Sequence, residues 1–332
     1  MSLAQAFLDQ LNKFHTYQEP YDDDLNIHLA EGTAKYLKKG KNVDWSKTYF
    51  SPSSASKCPR ELYTKGLRND RGYPLYKRDK KEWKPHQRRI TAQGTKIGDW
   101  LQYEIMLMEK HYEKFTGEKP RFIFAKTEDG YPVMEDFAYI SRPVEHNGQQ
   151  FQLNGTTDGI LVDTHTGELV ILEIKSKQET PSKTNYTQMK DPKDGHVQQV
   201  TCYSEMYDIN QAIIVYVNTA KAKWFADDET LEKSPDVRAF DVEVTQNMKN
   251  VIFDKFADIT RRINENNPPE LDLSSWQFND YKEAITKTLT QDEIEKMELR
   301  ISLTKPSKEM AWLKRSMENA LVDIKKRKEK SE

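Results

Sequence analysis

The sequence predicts an α/β fold in which a mixed sheet is flanked by helices, with helical additions at both ends. Two observations predict this class. β-rich runs separated by turn signals fill residues 121–176, and helical and strand patterns alternate over 196–267. Residues 1–45 and the chain after Pro269 instead show apolar residues at helical spacing.

The composition excludes several classes of protein. The 332 residues are 36% hydrophobic and 31% charged, and their 6 Trp, 16 Tyr and 13 Phe are too many for wholesale disorder. No window approaches the roughly 18 consecutive apolar residues of a membrane span, and the N-terminus lacks the pattern of a secretory signal. Cys58 and Cys202 are too few for a disulfide framework or a four-cysteine metal site. We therefore expect a cytoplasmic protein with no membrane partner.

Spacing and turn signals predict the individual elements. Leu8, Leu11 and Phe14 indicate an N-terminal helix, and Ser56 is placed to cap a short helix that carries Cys58. The other predicted elements are strands at 121–125, 134–144, 151–163, 168–176, 211–221 and 239–245, and helices at 94–116, 196–209 and 247–267. The predicted units are an N-terminal helical extension (1–48), an α/β core with a basic insertion (49–282, insertion 65–96) and a C-terminal helical extension (283–332).

The insertion at 65–96 concentrates positive charge in a chain whose formal net charge is only −2. It holds eleven basic and three acidic residues, with Tyr73, Tyr76 and Trp83 interleaved. Such a stretch suits a phosphate backbone and unstacked bases, whereas charge runs are more commonly solvated surface loops. As a nucleic-acid contact it would act through its basic side chains, of which the candidates are Lys84, Arg88 and Arg89.

The segment 155–177 predicts a hairpin that gathers charged side chains. Its turn is Thr164-His165-Thr166-Gly167, where Gly167 is free to adopt positive φ. Pairing that is symmetric about this turn places Asp158 opposite Glu173, whereas a bulge at Gly167 would shift the register by one residue. Lys175 lies two residues after Glu173 and therefore on the same face.

This arrangement of an aspartate, a glutamate and a lysine points to a metal site. Two carboxylates in one dry corner repel each other, and one stays protonated unless a cation bridges them. Oxygen ligands with open positions suit Mg²⁺ or Mn²⁺, and a nearby ammonium group can orient an attacking water or hold a phosphate. The alternative is a structural ion cluster at a strand end.

The next motif lies on the predicted helix 196–209. His196, Gln199, Tyr203 and Tyr207 share one helical face, and Gln and Tyr side chains can contact a phosphate or an unstacked base. An amphipathic helix that uses both tyrosines as core residues explains the same spacing.

Taken in order, Asp158, Glu173-Ile-Lys175 and Gln199-x-x-x-Tyr203 resemble the PD-(D/E)XK nuclease superfamily, in its RecB-like exonuclease branch. The resemblance covers roughly residues 50–285 and implies a restriction-endonuclease-like mixed central sheet. Each motif is short, and their order and strand–strand–helix context carry the specificity.

Two further segments fit the resemblance, although the second lacks the cysteines of the relatives. The Ser-rich segment ending in Cys58-Pro59-Arg60 resembles the opening of many members, including CRISPR adaptation nucleases. The segment from Trp276 to Tyr281 resembles the region where those relatives carry further cluster cysteines. Phe278 and Asp280 stand there instead, so we expect no iron–sulfur cluster and expect packing around Trp276 and Tyr281 to replace it.

The first motif also departs from the pattern. Relatives often have Gly-Thr-x-x-His, with the histidine on the metal, but Gly98 occupies that position here. Asp99, Gln102 or Glu104 could stand in for it. Asp99 and Gln102 share a helical face and are preferred, Asp99 as a third metal ligand and Gln102 as a contact to DNA.

The resemblance implies a divalent-metal phosphodiesterase that acts on DNA, most often from ends. Asp158 and Glu173 would hold the metal, Lys175 would lie beside the attacked phosphorus, and Gln199, Tyr203 and His196 would contact the strand. Relatives of this kind process DNA ends for replication or recombination in phages and mobile elements. A phage-encoded protein would work in the host cytoplasm.

Two other functions remain open from the sequence. A DNA-binding or assembly module with a weakened catalytic site explains the missing histidine. Apolar residues of the C-terminal helices can also dock a partner such as a replication or recombination protein, although intramolecular packing is the more common use of such residues: Ile301, Leu303, Trp312, Leu313 and Leu321.

Overall fold

The computed structural model describes residues 1–41, 43–304 and 310–330. The helices in these ranges are α1 (Leu3–Phe14), α2 (Asp23–Lys39), α3 (Pro59–Gly66), α4 (Pro85–Thr116), α5 (Asp194–Tyr207), α6 (Asp228–Lys233), α7 (Gln246–Asn264), α8 (Lys282–Thr288), α9 (Gln291–Leu303) and α10 (Ala311–Glu329). The strands are β1 (Tyr49–Phe50), β2 (Phe122–Phe124), β3 (Ile140–His146), β4 (Gln149–Gly155), β5 (Gly159–Asp163), β6 (Leu169–Lys177), β7 (Gln211–Asn218) and β8 (Val237–Glu243). Short 3₁₀ helices lie at Pro52–Ser54, Pro181–Thr184 and Leu273–Phe278.

The strands form two mixed sheets, which confirms the predicted fold class. The larger sheet has five strands in the order β2-β5-β6-β7-β8, and the smaller has three in the order β1-β4-β3. Strands β6 and β7 are parallel, as are β1 and β4, and the other neighbours are antiparallel. A helix, α5, therefore connects β6 to β7, as a parallel crossover requires.

Helices cover both faces of the five-stranded sheet. Ile171 and Ile214 face a core cluster that also contains Val200 of α5 and Phe256 of α7. The alternate residues, such as Leu172, face the opposite cluster, to which α1 and α4 contribute. Because both faces are buried, β6 and β7 read as nearly continuous apolar runs.

The N-terminal helix α1 is part of the core. Phe7, Leu11 and Phe14 are buried against the larger sheet and α4. At the sheet edge, the side chain of Gln10 pairs with the backbone of Phe122 in β2: Gln10 Nε2 donates to Phe122 O at 2.9 Å, and Phe122 N donates to Gln10 Oε1 at 2.8 Å. One glutamine thus takes the place of a neighbouring strand at this position.

The C-terminal helices pack on the segment that follows β1. Cys58 lies in a buried cluster with Trp276, Tyr281 and Ile324, so packing around Trp276 and Tyr281 occurs where the sequence predicts it. Cys58 and Cys202 are both buried and unpaired. The absence of an iron–sulfur cluster stays a prediction.

A buried arginine links α3 to the C-terminal part of the chain. Arg60 is fully buried, and its Nη1 donates to Pro269 O at 2.9 Å and to Glu293 Oε1 of α9 at 2.8 Å.

Among the predicted docking residues, Ile301 is buried, whereas Leu303 is 71% and Trp312 69% exposed. The division of the chain into three units, and a docked partner, stay predictions.

Several predicted boundaries are wrong. The strand predicted over 134–144 begins only at Ile140, because the backbone N–H groups of Phe137 and Ala138 both donate to Met134 O in a turn. The strand predicted over 151–163 is two strands in different sheets, interrupted between Gly155 and Gly159.

Two predicted helix starts also change. Helix α3 begins at Pro59 with Cys58, rather than Ser56, as its N-cap. Helix α4 begins at Pro85 rather than Gly94, so part of the basic insertion is helical. Among the described residues, no helix combines the length and apolar character needed to cross a membrane.

Candidate active site

The hairpin formed by β5 and β6 brings the predicted residues together. Gly159 pairs with Leu172 and Ile160 with Ile171, which is the predicted register. Gly167 in the turn has φ of 77°. Asp158 precedes this ladder by one residue, and its Oδ2 accepts a hydrogen bond from Ile174 N at 2.6 Å. Asp158 and Glu173 are therefore neighbours at the N-terminal end of β5.

The two carboxylates are held in an environment that disfavours their charge. Glu173 is 1% exposed, and burial, followed by the negative charge of Asp158, raises its pKa to about 8. Burial also raises the pKa of Asp158 to about 6, against the hydrogen bond from Ile174 N and the positive charge of Lys175. The negative charge of Glu135, from the segment before β3, adds to both shifts. A bound cation would relieve this repulsion.

Lys175 links the carboxylates to helix α5. Its ammonium group forms an ion pair with Oε1 of Glu173 and donates to Gln199 Oε1 at 3.1 Å. Gln199 Nε2 in turn donates to the Tyr203 hydroxyl at 3.0 Å. Gln199 and Tyr203 are 9% and 5% exposed. The two side chains of the Gln-x-x-x-Tyr motif thus orient Lys175 through a chain of hydrogen bonds. Direct contact with DNA stays a prediction for both.

Tyr203 itself lies close to the acidic pair. Burial raises the pKa of its hydroxyl well above its usual value, and the negative charges of Glu173 and Asp158 add to this effect. The phenol therefore stays protonated.

Helix α4 passes the site on the opposite face of the sheet. Gln102 is buried, and its Nε2 donates to the backbone oxygen of Asp158 at 2.7 Å. A Cβ at Gly94 would lie 3.2 Å from Ser176 Oγ, so α4 also approaches β6 next to Lys175. Gln102 positions the backbone of the predicted metal ligand, and its predicted contact with DNA is untested.

The first turns of α4 project beyond the sheet. Residues 81–93 are all exposed, and they include Lys84, Arg88 and Arg89. From Pro85 to Gly94 the helix rises about 13 Å. These basic side chains are therefore exposed to solvent on the first turns of α4, and their contact with DNA stays a prediction.

Asp99 does not join the carboxylate pair. Its Oδ2 forms an ion pair with Lys96 Nζ at 2.8 Å, and the side chain is 46% exposed. Its negative charge acts on Glu135 and Asp136 instead: burial raises the pKa of both, and Asp99 adds to both shifts. Asp99 thus lies near Glu135 and Asp136, and its role as a metal ligand stays a prediction.

His196 lies beside the site on α5, and two unpredicted lysines accompany it. Its Nδ1 is 2.8 Å from the Tyr216 hydroxyl, which also accepts a hydrogen bond from Lys193 N at 2.9 Å. Lys177, two residues after Lys175, has its Nζ 5.1 Å from the centroid of the Tyr216 ring. The sequence could have indicated Lys177 as a site residue, because it lies two residues after Lys175 on the same face of β6. Lys193 could not be identified in this way, because it is brought to the site by the crossover from β6 to β7.

The chemistry of the donors fits a divalent cation. Oε2 of Glu173 is buried and has no hydrogen-bond partner among the described residues. Such an orphaned carboxylate oxygen is costly without a cation or proton. Within the described ranges, no group of three or more His, Cys, Asp and Glu side chains is arranged to hold a metal. Two carboxylates with open positions instead suit Mg²⁺ or Mn²⁺, which keep waters and take further ligands from phosphates.

The described fold also has likenesses among solved structures. An alkaline exonuclease from Laribacter hongkongensis is 14% identical, with a TM-score of 0.37 over 72% of this chain and 94% of its own. The same enzyme in complex with dAMP is 12% identical, with a TM-score of 0.36 over 72% and 94%. A phage-related exonuclease from Haemophilus somnus is 14% identical, with a TM-score of 0.35 over 66% and 95%.

The other comparisons add no relative. No family model matches the sequence, and no curated protein matches it. At TM-scores below 0.5, the neighbours carry no argument about activity. The functional conclusion therefore rests on this chain's own residues.

Proposed function

We propose that this chain is a divalent-metal-dependent deoxyribonuclease that hydrolyses phosphodiester bonds, acting as an exonuclease during DNA replication, recombination or end processing. The observation that carries the proposal is the orphaned, buried Oε2 of Glu173 between Asp158 and the ammonium group of Lys175. A structural ion cluster would satisfy that oxygen, because unpaired buried carboxylates are destabilising.

Asp158 and Glu173 would hold Mg²⁺ or Mn²⁺, which supplies Lewis acidity and lowers the pKa of a bound water. Lys175 stands next to the carboxylates and is oriented by Gln199 at 3.1 Å. It can therefore donate to a non-bridging phosphate oxygen and stabilise the charge that develops there. Gln102 and the hydrogen bond from Ile174 N keep Asp158 in position.

The test compares cleavage by the wild type and by single variants in Mg²⁺ or Mn²⁺. Asp158→Asn and Glu173→Gln should abolish DNA hydrolysis, and Lys175→Ala should lower its rate about 10²-fold or more. Glu168→Gln, which changes an exposed carboxylate in the turn of the same hairpin, is the matched control. Full activity in the Asp158 or Glu173 variants would contradict the proposal.

End-labelled linear DNA and closed circular DNA separate the modes of cleavage. An exonuclease degrades only the linear substrate, whereas an endonuclease also opens the circle. Cleavage of the circle would overturn the exonuclease assignment and leave the nuclease assignment standing.

One observation favours a second function, a DNA-binding or assembly module with a weakened catalytic site. Asp99 is paired with Lys96, and Gly98 offers no side chain in place of a third ligand. In that case the purified protein binds DNA with a steep salt dependence but does not cleave it in either metal.

A further inference from the structure

Two lysines at the end of β6 and the start of α5 face each other beside the catalytic lysine. Lys177 lies two residues after Lys175, so the two are about 6.5 Å apart along the same face of the strand. Its Nζ is 5.1 Å from the centroid of the buried Tyr216 ring. Lys193 is the N-cap of α5, and its backbone N donates to the Tyr216 hydroxyl at 2.9 Å. Tyr216 therefore contacts the side chain of Lys177 and the backbone of Lys193, and the charge of Lys193 acts on Lys177.

The positive charge of this pair is poorly compensated. Burial, followed by the charge of Lys193, lowers the pKa of Lys177 to about 8. Glu179 is the acidic side chain that acts on both, and its carboxylate already forms an ion pair with Lys183 at 2.6 Å. Two ammonium groups held together in this way are a suitable site for an anion such as a phosphate.

His196 adds a neutral donor to the same place. The Tyr216 hydroxyl accepts from Lys193 N, so its own proton is directed to Nδ1 of His196 at 2.8 Å. Burial and then the charges of Lys175, Lys177 and Lys193 lower the pKa of His196 to about 4. The ring is therefore neutral at pH 7 and carries its proton on Nε2, where it can donate.

An aromatic turn begins at the same end of the sheet. After β7, Thr219 N donates to Lys177 O at 2.7 Å. A turn closed by Ala226 N and Lys223 O at 3.0 Å then places Trp224 and Phe225 at its corners, and each is 93% exposed. Five extended residues span at most about 18 Å, so Trp224 lies within that distance of Thr219.

Two adjacent large aromatics, each 93% exposed, on the turn that follows the strand beside Lys177 have the composition of a single-strand binding surface. Lysines bind the phosphates, and flat aromatic rings stack on the bases. A duplex keeps its base faces inside the stack, so exposed rings of this kind select an unpaired strand.

We propose that Lys177, Lys193 and the Trp224–Phe225 turn form a binding surface for an unpaired DNA strand that enters or leaves the catalytic centre. The lysines hold a phosphate neighbouring the one at Lys175, and the two rings stack on bases further along. The proposal rests on the proposed function, because it takes the strand at Lys175 to be DNA.

The test measures binding in EDTA, where no hydrolysis occurs. Fluorescence anisotropy follows a labelled oligothymidylate of 12 nucleotides and a blunt duplex of mixed sequence, each titrated at several salt concentrations. The variants are Lys177→Gln with Lys193→Gln, and Trp224→Ala with Phe225→Ala. The matched controls are Lys114→Gln, exposed on the last turn of α4, and Trp312→Ala on α10.

The lysine double variant should weaken binding of the single strand and reduce the slope of log K against log salt by about 0.7, since the two lysines hold one phosphate and each phosphate contact contributes roughly 0.7. The aromatic double variant should weaken single-strand binding about tenfold or more, with an unchanged salt slope. Its affinity for the duplex should equal that of the wild type.

Variants that bind the single strand as the controls do would overturn the proposal, as would an equal loss for the duplex. Capture of a protein at the Trp224–Phe225 turn, with single-strand binding intact, would do the same. Because these measurements need no catalysis, an inactive wild type that shows the expected binding would refute the nuclease and leave this surface in place.

Discussion

Replacing Glu173, a proposed metal ligand, should stabilise the metal-free protein and, under the proposed function, abolish DNA hydrolysis. Glu173 has no partner for Oε2 among the described residues, and burial with the nearby charge of Asp158 raises its pKa from 4.5 to about 8. A raised carboxyl pKa means that the folded state binds the proton more tightly than the unfolded state. The contribution of Glu173 to stability is therefore fully present below pH 4.5 and is lost as the pH rises towards 8.

The size of this effect follows from the pKa difference. At pH 7 the loss amounts to roughly 3 kcal/mol, at about 1.4 kcal/mol for each pH unit above the unfolded pKa. Glu173→Gln keeps the shape of the side chain and removes this dependence. We expect the variant to unfold at higher denaturant concentration than the wild type in EDTA at pH 7, and at a similar concentration at pH 4.5.

Equilibrium denaturation in urea, at pH 4.5, 7 and 9, measures the difference. Mg²⁺ should stabilise the wild type by about 2.7 kcal/mol at a hundredfold excess over its dissociation constant, and should leave Glu173→Gln unchanged. The control is Asp163→Asn: Asp163 is fully buried but accepts two-point hydrogen bonds from Arg121, so this variant should be less stable than the wild type. A Glu173→Gln protein that is less stable than the wild type at pH 7 in EDTA would refute the reasoning.

Three further changes test the surroundings of the site and the packing of the ends. Gln199→Met removes the acceptor of Lys175 and should lower kcat about tenfold at unchanged KM in a steady-state cleavage assay; a rise in KM alone would instead indicate direct contact with DNA. Burial raises the pKa of Asp22, but its hydrogen bonds outweigh this effect and lower the pKa to about 2. Asp22→Asn should therefore lower the free energy of unfolding by up to about 2 kcal/mol at pH 7 and leave it unchanged below pH 2, as measured by urea denaturation. Glu293→Gln leaves the buried guanidinium of Arg60 without its counter-charge and should lower the free energy of unfolding by about 2 kcal/mol. An unchanged midpoint of urea denaturation would contradict a stabilising role for this ion pair.

The sequence predicts the hairpin well because its information is local. A strand has a side-chain period of two and the turn at Gly167 is short, so the register of Asp158 and Glu173 follows from counting. The same holds for helix α5, whose spacing places Gln199 and Tyr203 on one face.

The features that were missed depend on distant parts of the chain. The interruption between Gly155 and Gly159 separates two sheets, and only tertiary packing distinguishes it from a continuous strand. Helix α4 begins at Pro85 in a polar, exposed segment that has no apolar stripe to indicate a helix. Lys193 meets Lys177 because β6 and β7 are parallel neighbours, and no local pattern reports that pairing.

The glutamine that pairs with the outer strand of the larger sheet has a consequence for how the chain behaves outside its native fold. Gln10 occupies the hydrogen-bonding groups of Phe122, and the rest of α1 packs against β8, β7 and α4. A chain that lacks the first 14 residues would present free backbone groups and apolar side chains to other copies of itself. Because Phe7, Leu11 and Phe14 also leave the core, we expect such a chain both to lose stability and to self-associate through this margin.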